Sequence, residues 1–504
     1  MVAKVKTFSF IGIDVARVDV EVKIAPGMSG LTIVGLPDKA VGESKERVRA
    51  AITSTGLEWP YKRITVNLAP ADLQKEGSHF DLAIALGIMI EMGILPQNCV
   101  ENFFALGELS LDGSINAVGG IISAAIGANQ RDCGIICPKA NGAEAAWAGD
   151  LDILAADNIL TLINHLKGEQ LISRPETSRI KNNKTYPCLS DVKGQDVAKR
   201  ALEIAAAGGH NLLMVGPPGT GKSMLASRLA GILPDCSLEE ILEINMIASI
   251  SSGLIDGSLI TNRPYREVHH SASMPAMVGG GARAKPGEIS LAHNGVLFLD
   301  ELAEFPRQVL DSLRQPLESG KVSIARVNSH ITYPANFQLI AAMNPCRCGY
   351  LGDEARQCKK APICGQDYKN KISGPLLDRI DLVVNVGQMD IFALKNMAQS
   401  ETSASVKHRI IEVRALQNAR YEVEEEMQNL TKINSKINGK ILEKYCALDD
   451  ESQKILQKAV EKNHSSMRGV NRILRVSRTI ADLEKSSNIK SHHLLEAISY
   501  RRKI

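Results

Sequence analysis

Gly216-Pro-Pro-Gly-Thr-Gly-Lys-Ser223 is the stretch that decides how this chain folds. It fits the phosphate-loop pattern G-x-x-x-x-G-K-[ST] at every fixed position. The apolar run before it, Asn211-Leu-Leu-Met-Val215, predicts a buried strand, and Met224-Leu-Ala-Ser-Arg-Leu-Ala230 after it has helical spacing. A glycine-rich turn between strand and helix aims backbone N–H groups and the helix N-terminus at phosphate oxygens. Gly216, Pro217, Pro218, Gly219, Thr220, Gly221, Lys222, Ser223 and Met224 are therefore the expected nucleotide-binding segment. Lys222 would reach the β- and γ-phosphates and the Ser223 hydroxyl would ligate Mg²⁺, so the expected cofactors are ATP and Mg²⁺.

A second motif follows at the spacing of one ATPase. Gly295-Val-Leu-Phe-Leu-Asp-Glu301 reads as an apolar strand ending in two carboxylates, the Walker B pattern. Asp300 is placed to hold the Mg²⁺ water shell and Glu301 to polarise the attacking water as general base. Ile340-Ala-Ala-Met-Asn-Pro345 predicts a third strand with Asn344 at its tip as a γ-phosphate sensor. Gly374-Pro-Leu-Leu-Asp-Arg-Ile-Asp381 sets Arg379 between two carboxylates, where an ion pair is the ordinary reading and an arginine finger the reading for a ring ATPase. Arg468, in Ser466-Met-Arg-Gly-Val-Asn-Arg472, is the expected cis sensor, with Arg472 as the second choice. The motifs together predict an ATP hydrolase.

Bulk properties narrow the class without naming a partner. A chain of 504 residues exceeds what one core holds, and its 44% hydrophobic and 23% charged content is ordinary for a globular protein. A formal net charge of +3 neither demands nor excludes nucleic acid, so any DNA contact must be a local patch. No apolar run approaches the length of a membrane span and the N-terminus lacks a signal-like apolar stretch, so a cytoplasmic protein without a membrane partner is expected. Ten cysteines in such a chain are expected to be reduced.

The expected organisation is α/β throughout, in four parts. Residues 1–165 alternate strand-like runs (Val18–Ile24, Leu31–Val34, Arg63–Leu68) with helical ones (Val41–Ile52, Phe80–Ile88) and form an α/β domain. Residues 166–190 include the polar stretch Ser173–Thr185 and read as a linker. Residues 191–390 are the P-loop α/β core. Residues 391–504 contain no proline, show helical periodicity such as Ile473–Leu483, and form a helical lid.

The ordered set Gly216–Ser223, Asp300-Glu301, Asn344 and Arg379 resembles the AAA+ superfamily, in its magnesium-chelatase-like branch. Asp191-Val-Lys-Gly-Gln195, His269-His270, Gly279-Gly-Gly281, Pro286–Gly295, Leu313-Arg-Gln-Pro-Leu-Glu318 and Arg478-Thr-Ile-Ala-Asp-Leu483 extend the likeness over nearly the whole chain, and it is strongest to the bacterial ComM/YifB group. That resemblance implies a homo-hexameric motor acting on single-stranded or branched DNA, with a role in branch migration during natural transformation. The alternative is a magnesium-chelatase-type motor subunit that remodels a protein partner; such subunits lack the N-terminal domain found here.

The N-terminal domain resembles the Lon-protease fold through Lys75-Glu-Gly77 and Gly107–Gly113…Val118-Gly-Gly-Ile121. The fold's nucleophile position falls near His79, with Ser78 adjacent, and its lysine position holds Ile122. A serine without an activating base is a poor nucleophile, so a non-proteolytic module is expected.

Two further features carry open readings. Cys346, Cys348, Cys358 and Cys364 have the spacing C-x-C-x9-C-x5-C, which suits either a structural Zn²⁺ thiolate site or four reduced cysteines in a surface loop. Residues 263–287 and the alternating run Ser319–Tyr333 stand outside a minimal ATPase core, the second as a hairpin turning near Asn328-Ser329. The family resemblance makes these the helix-2 insert and pre-sensor-1 hairpin, so that Lys321, Arg326, Arg283 and Lys285 meet DNA phosphates in the ring's channel. Solvated surface hairpins are the other reading.

Overall fold

In the computed structural model of the chain, the described residues are 2–177, 186–252, 258–281, 284–325, 330–351, 361–388, 400–428, 431–463 and 466–501. The N-terminal unit is a seven-stranded mixed sheet with spatial order β3-β4-β2-β1-β5-β8-β9. Its long antiparallel hairpin β1 (Ala3–Ile11) and β2 (Asp14–Ala25) turns at Gly12-Ile13. Next come β3 (Gly30–Val34), α1 (Lys39–Ser54), β4 (Arg63–Ala69) and α2 (Asp81–Glu91). The side chain of Asp38 caps α1 by accepting from the Val41 amide. Every residue of α2 from Asp81 to Met89 is buried, as expected of a helix apolar on all sides.

Shorter pieces complete the unit: β5 (Phe103–Ala105), β6 (Glu108–Leu109), β7 (Ile115–Asn116), α3 (Ile121–Asn129), β8 (Gly134–Pro138), α4 (Gly142–Ala145), β9 (Ile153–Ala156) and α5 (Ile159–Leu166). The protease-like residues stand in separate contacts. Lys75 is fully buried with its ammonium on the Pro70 carbonyl, and Ser78 donates to Glu108. His79 is bonded to the Phe8 carbonyl, and burial pulls its imidazole down to about 4.

The second unit opens with α6 (Asp196–Gly208) and is built on a five-stranded parallel sheet, β11-β14-β17-β10-β18. Its strands are β10 (Leu212–Val215), β11 (Tyr265–Val268), β14 (Val296–Leu299), β17 (Gln338–Met343) and β18 (Leu382–Asn385). All of β10, β14 and β17 is buried, which is why these runs are continuously apolar rather than alternating. Between β10 and β11 lie α7 (Lys222–Ile232) and α8 (Leu238–Ser252). Between β11 and β14 lie α9 (Met274–Val278), the small pair β12 (Gly279–Gly280) and β13 (Lys285–Pro286), and α10 (Glu288–Leu291). After β14 come α11 (Arg307–Ser312), α12 (Arg314–Ser319) and the hairpin β15 (Lys321–Ala325) and β16 (His330–Pro334). Helices α13 (Ile363–Asn370) and α14 (Gly374–Leu377) precede β18.

The chain ends in helices: α15 (Ser403–Tyr421), α16 (Gly439–Tyr445), α17 (Asp450–Asn463), α18 (Met467–Leu483) and α19 (Ser491–Ser499). They pack on the core through Val406, Ile410, Val413, Ile473, Val476 and Ile480, in one apolar cluster with α6 and β10. Asp482, fully buried, accepts from Arg420, Arg478 and Asn434 at its centre. Among the described residues no helix is long and apolar enough to cross a membrane.

Candidate nucleotide site

The five parallel strands end on one edge of the sheet, the edge where open α/β folds bind their ligands. Gly216 follows β10 there, and the loop it opens needs glycine at three places. A Cβ on Gly216 would stand 2.1 Å from the Val386 carbonyl oxygen, while Gly219 and Gly221 hold φ of +78° and +87°. The Thr220 hydroxyl closes the loop on the Pro217 carbonyl at 2.9 Å. Met224 is exposed in the first turn of α7.

Lys222 is the cation at the centre. Its ammonium donates to the Gly216 and Pro217 carbonyls at 2.7 and 2.8 Å and to Asn344 Oδ1 at 3.2 Å. Burial lowers its pKa, opposed by the nearby charges of Asp300 and Glu301. Asn344, at the tip of β17, thus shares the cation with the loop. The Ser223 hydroxyl donates to Asp300 Oδ2 at 2.6 Å. Two hard oxygen donors this close, one at a strand end and one on the first turn of a helix, suit Mg²⁺, which takes oxygen ligands and keeps several waters.

Glu301 adopts φ of +52°, a conformation rare for a residue with a side chain and typical of functional sites. Its amide donates to Asp300 Oδ1 at 2.8 Å. Its carboxylate meets His270 Nδ1 at 3.1 Å, and the His270 ring lies 4.1 Å from that of His269, tilted by 34°. Sequence reading took the two histidines as part of a family likeness and of the 263–287 insert, and missed this pairing. The signal lay in strand register: Val268 pairs with Leu299, so the residues just past each strand, His269-His270 and Asp300-Glu301, must arrive together.

Arg379 lies outside this row. It donates to the Pro375 carbonyl at 2.7 Å and to Glu318 at 2.5 Å, while its Nε is buried without a partner among the described residues. Arg468 stands exposed in the first turn of α18. Arg472 is buried instead, with its guanidinium spent on the Leu377 and Ile380 carbonyls and on Asp378. It fastens the lid to the Arg379 segment, whereas Arg468 is left exposed.

Of the cysteine set, Cys346 is buried and Cys348 exposed, with sulfurs 3.1 Å apart. Cys364 lies in the first turn of α13, and a Cβ on its neighbour Gly365 would stand 3.3 Å from the Pro345 carbonyl oxygen. Cys358 lies outside the described residues. The turn after Cys348 touches the phosphate loop: a Cβ on Gly349 would stand 2.7 Å from Pro218. Lys321 is exposed at the start of β15. Lys285 donates to the Ser251 carbonyl of α8 at 2.8 Å. Arg283 and Arg326 lie outside the described residues.

Comparison of the sequence with known proteins points to one class. The family described as "Magnesium chelatase, subunit ChlI" matches residues 188–394, the family described as "Subunit ChlI of Mg-chelatase" matches 20–141, and the ChlI C-terminal family matches 400–501. The class is therefore that of magnesium-chelatase-like AAA+ proteins. Within it, competence protein ComM of Haemophilus influenzae is 44% identical over 97% of this chain and 95% of its own length. YifB of Escherichia coli is 43% identical over 99% and 96%, and YifB of Salmonella typhimurium 43% over 99% and 97%. The chain belongs to the ComM/YifB family, whose AAA+ architecture implies ATPase activity.

Lys222→Ala is expected to abolish ATP binding, because it removes the cation of the phosphate loop. Glu301→Gln is expected to bind ATP·Mg²⁺ and hydrolyse it slowly, since only the carboxylate that polarises water is removed. Binding of a fluorescent ATP analogue together with phosphate release separates the two; wild-type turnover by Glu301→Gln would remove Glu301 from the reaction.

Proposed function

We propose that this chain is an ATP-driven homo-hexameric motor that translocates on single-stranded or branched DNA in the cytoplasm, a branch-migration helicase of recombination or natural transformation. The observation that carries the hydrolytic part is the convergence of Lys222, Ser223, Asp300, Glu301 and Asn344 on one sheet edge. Lys222 binds the β- and γ-phosphates, Ser223 and Asp300 hold Mg²⁺, Glu301 polarises water and Asn344 senses the γ-phosphate. The competence name of the Haemophilus relative supports the DNA part. The chelatase-type alternative draws on the magnesium-chelatase 38 kDa subunit of Rhodobacter capsulatus, 28% identical over only 34% of this chain. The family matches at 20–141, 188–394 and 400–501 support a division into domains 1–165, 191–390 and 391–504 with a linker at 166–190.

Arg379 acts in this reading as a finger offered to the neighbouring subunit. Its link to Glu318, a carboxylate 63% exposed, is the kind of surface pair that contributes about 0.2–1 kcal/mol and yields to a stronger negative charge. Arg379→Ala is expected to keep ATP binding and reduce turnover by a factor on the order of 10³. Mixed with Glu301→Gln subunits it should regain activity at mixed interfaces, and complementation at no mixing ratio would argue for a role within its own subunit.

DNA binding is tested by salt. Lys321→Ala is expected to weaken DNA binding and to lower the slope of log K against log salt by roughly 0.7–0.9 for each phosphate the side chain had neutralised. Arg326→Ala, Arg283→Ala and Lys285→Ala belong to the same series. Little dependence on base sequence is expected, because these side chains would meet the backbone. Unchanged affinity and slope on single-stranded, duplex and branched DNA would favour the protein-remodelling alternative.

Cys346, Cys348, Cys358 and Cys364 are proposed to bind one structural Zn²⁺ beside the phosphate loop. Metal analysis of protein purified without chelators should find about one zinc per chain, and none in Cys358→Ser. Absence of zinc from the wild type would leave four reduced thiols.

A further inference from the structure

The Val118-Gly-Gly120 turn of the N-terminal unit is occupied by another part of the same chain. The Gly120 amide donates to Ser249 Oγ of α8 at 2.7 Å, and that hydroxyl donates to Glu144 Oε1 at 2.6 Å. Glu144 also accepts from the Ile122 amide at 3.2 Å and from Asn141 at 2.9 Å, and Asn141 fastens both backbone groups of Val118. Ser249 is fully buried, Glu144 is 1% exposed, and burial raises the Glu144 pKa. The fit is close: a Cβ on Gly119 would stand 2.7 Å from the Ser249 carbonyl oxygen, and Gly120 turns with φ of +84°.

A second contact joins the same two units. Gly12, in the β1–β2 turn, lies against the β15–β16 hairpin, where a Cβ would stand 2.9 Å from the Thr332 carbonyl oxygen. Ile13 beside it packs on the core cluster that holds Ile324 and Tyr333. Both gripped elements lead straight to the nucleotide site. Helix α8 follows α7, whose first residues are Lys222 and Ser223, and its Glu243 binds His293 and Asn294 at the root of β14. Strand β16 leads within a few residues to β17, which ends at Met343, next to Asn344.

We propose that the N-terminal unit is an internal clamp that holds α8 through Ser249 and the hairpin through Gly12-Ile13, and whose grip is set by the nucleotide bound in the core. Both contacts lie on paths that start at residues facing the phosphates, so a shift of the phosphate loop or of Asn344 is delivered to the N-terminal unit from two sides. Glu144 has Asn141 and the Ile122 amide as partners besides Ser249, so release of Ser249 would not leave the carboxylate unpaired. This rests on the reading of the core as an ATP site, and its test is independent of DNA.

The test is hydrogen exchange on the full chain carrying Glu301→Gln, with and without ATP·Mg²⁺. Exchange is expected to slow at residues 216–224, where nucleotide binds, and to change at 118–124 in the N-terminal unit. Adding Ser249→Ala should leave the first response intact and remove the second. Gly119→Ala, which drives a methyl group against the Ser249 carbonyl, should do the same without touching the hydroxyl. Each variant should also shift the apparent ATP affinity by about 5-fold or more, because coupling between two sites is reciprocal. Slowing at 216–224 with no change at 118–124 would overturn the clamp, whereas no slowing at 216–224 would overturn the ATP reading itself. Retention of the 118–124 response in both variants would place the coupling elsewhere and also overturn the proposal.

Discussion

Parallel pairing of β11 with β14, β14 with β17 and β17 with β10 is the constraint on which the rest of this structure depends. Parallel strands in register finish together, so the residues that follow them arrive at one edge without being neighbours in sequence. His270, Glu301, Asn344 and Gly216 reach the same row this way. A slip of one residue in β14 would exchange its two faces and carry the carboxylates off the line. Burial of every residue in β10, β14 and β17 opposes such a slip, because both faces of each strand pack against a layer of the core.

Charge is distributed in two grades around that sheet. Away from the reacting groups, carboxylates are buried and engaged: Asp482 with Arg420 and Arg478 inside the lid, Asp381 with the Asn211 amide inside the core. Removing one partner of a buried ion pair costs about 3–5 kcal/mol, which makes the Asp482 cluster a firm joint within the lid. The pairs nearest the reacting groups are of the other grade. His270–Glu301 is 35% and 50% exposed and Arg379–Glu318 18% and 63%, which places both among links that contribute about 0–1 kcal/mol. Firm joints fix the frame, and weak ones occupy the places where a ligand has to displace something.

How much of this could be read from the sequence follows the range of the interactions. The phosphate loop, the Walker B strand and the hairpin after Ser319 are local patterns, in which propensity and periodicity act over a few residues, and the structure forms each of them. The helical patterns Val41–Ile52 and Phe80–Ile88 were legible for the same reason, and α1 and α2 form over them. What stayed hidden depends on partners far apart in sequence. Ser249 and Glu144 are 105 positions apart, Arg379 and Glu318 are 61, and Arg472 and Asp378 are 94. Arg472 and Arg468 look alike in sequence, four residues apart on one helix. Only burial separates the one that fastens the lid from the one left open.

The energies also decide which contact between the two units can respond to a nucleotide. A hydrogen bond between neutral groups contributes about 0.5–1.5 kcal/mol net, and one to a charged group about 1.5–3. The Ser249 bridge contains one of each kind, from Gly120 and to Glu144. Coupling free energies between sites commonly amount to about 1–3 kcal/mol, the same range. A ligand can shift an equilibrium only by its difference in affinity for the two states, so a contact that answers to it has to fall within that range. A single serine seated in a glycine turn is within it.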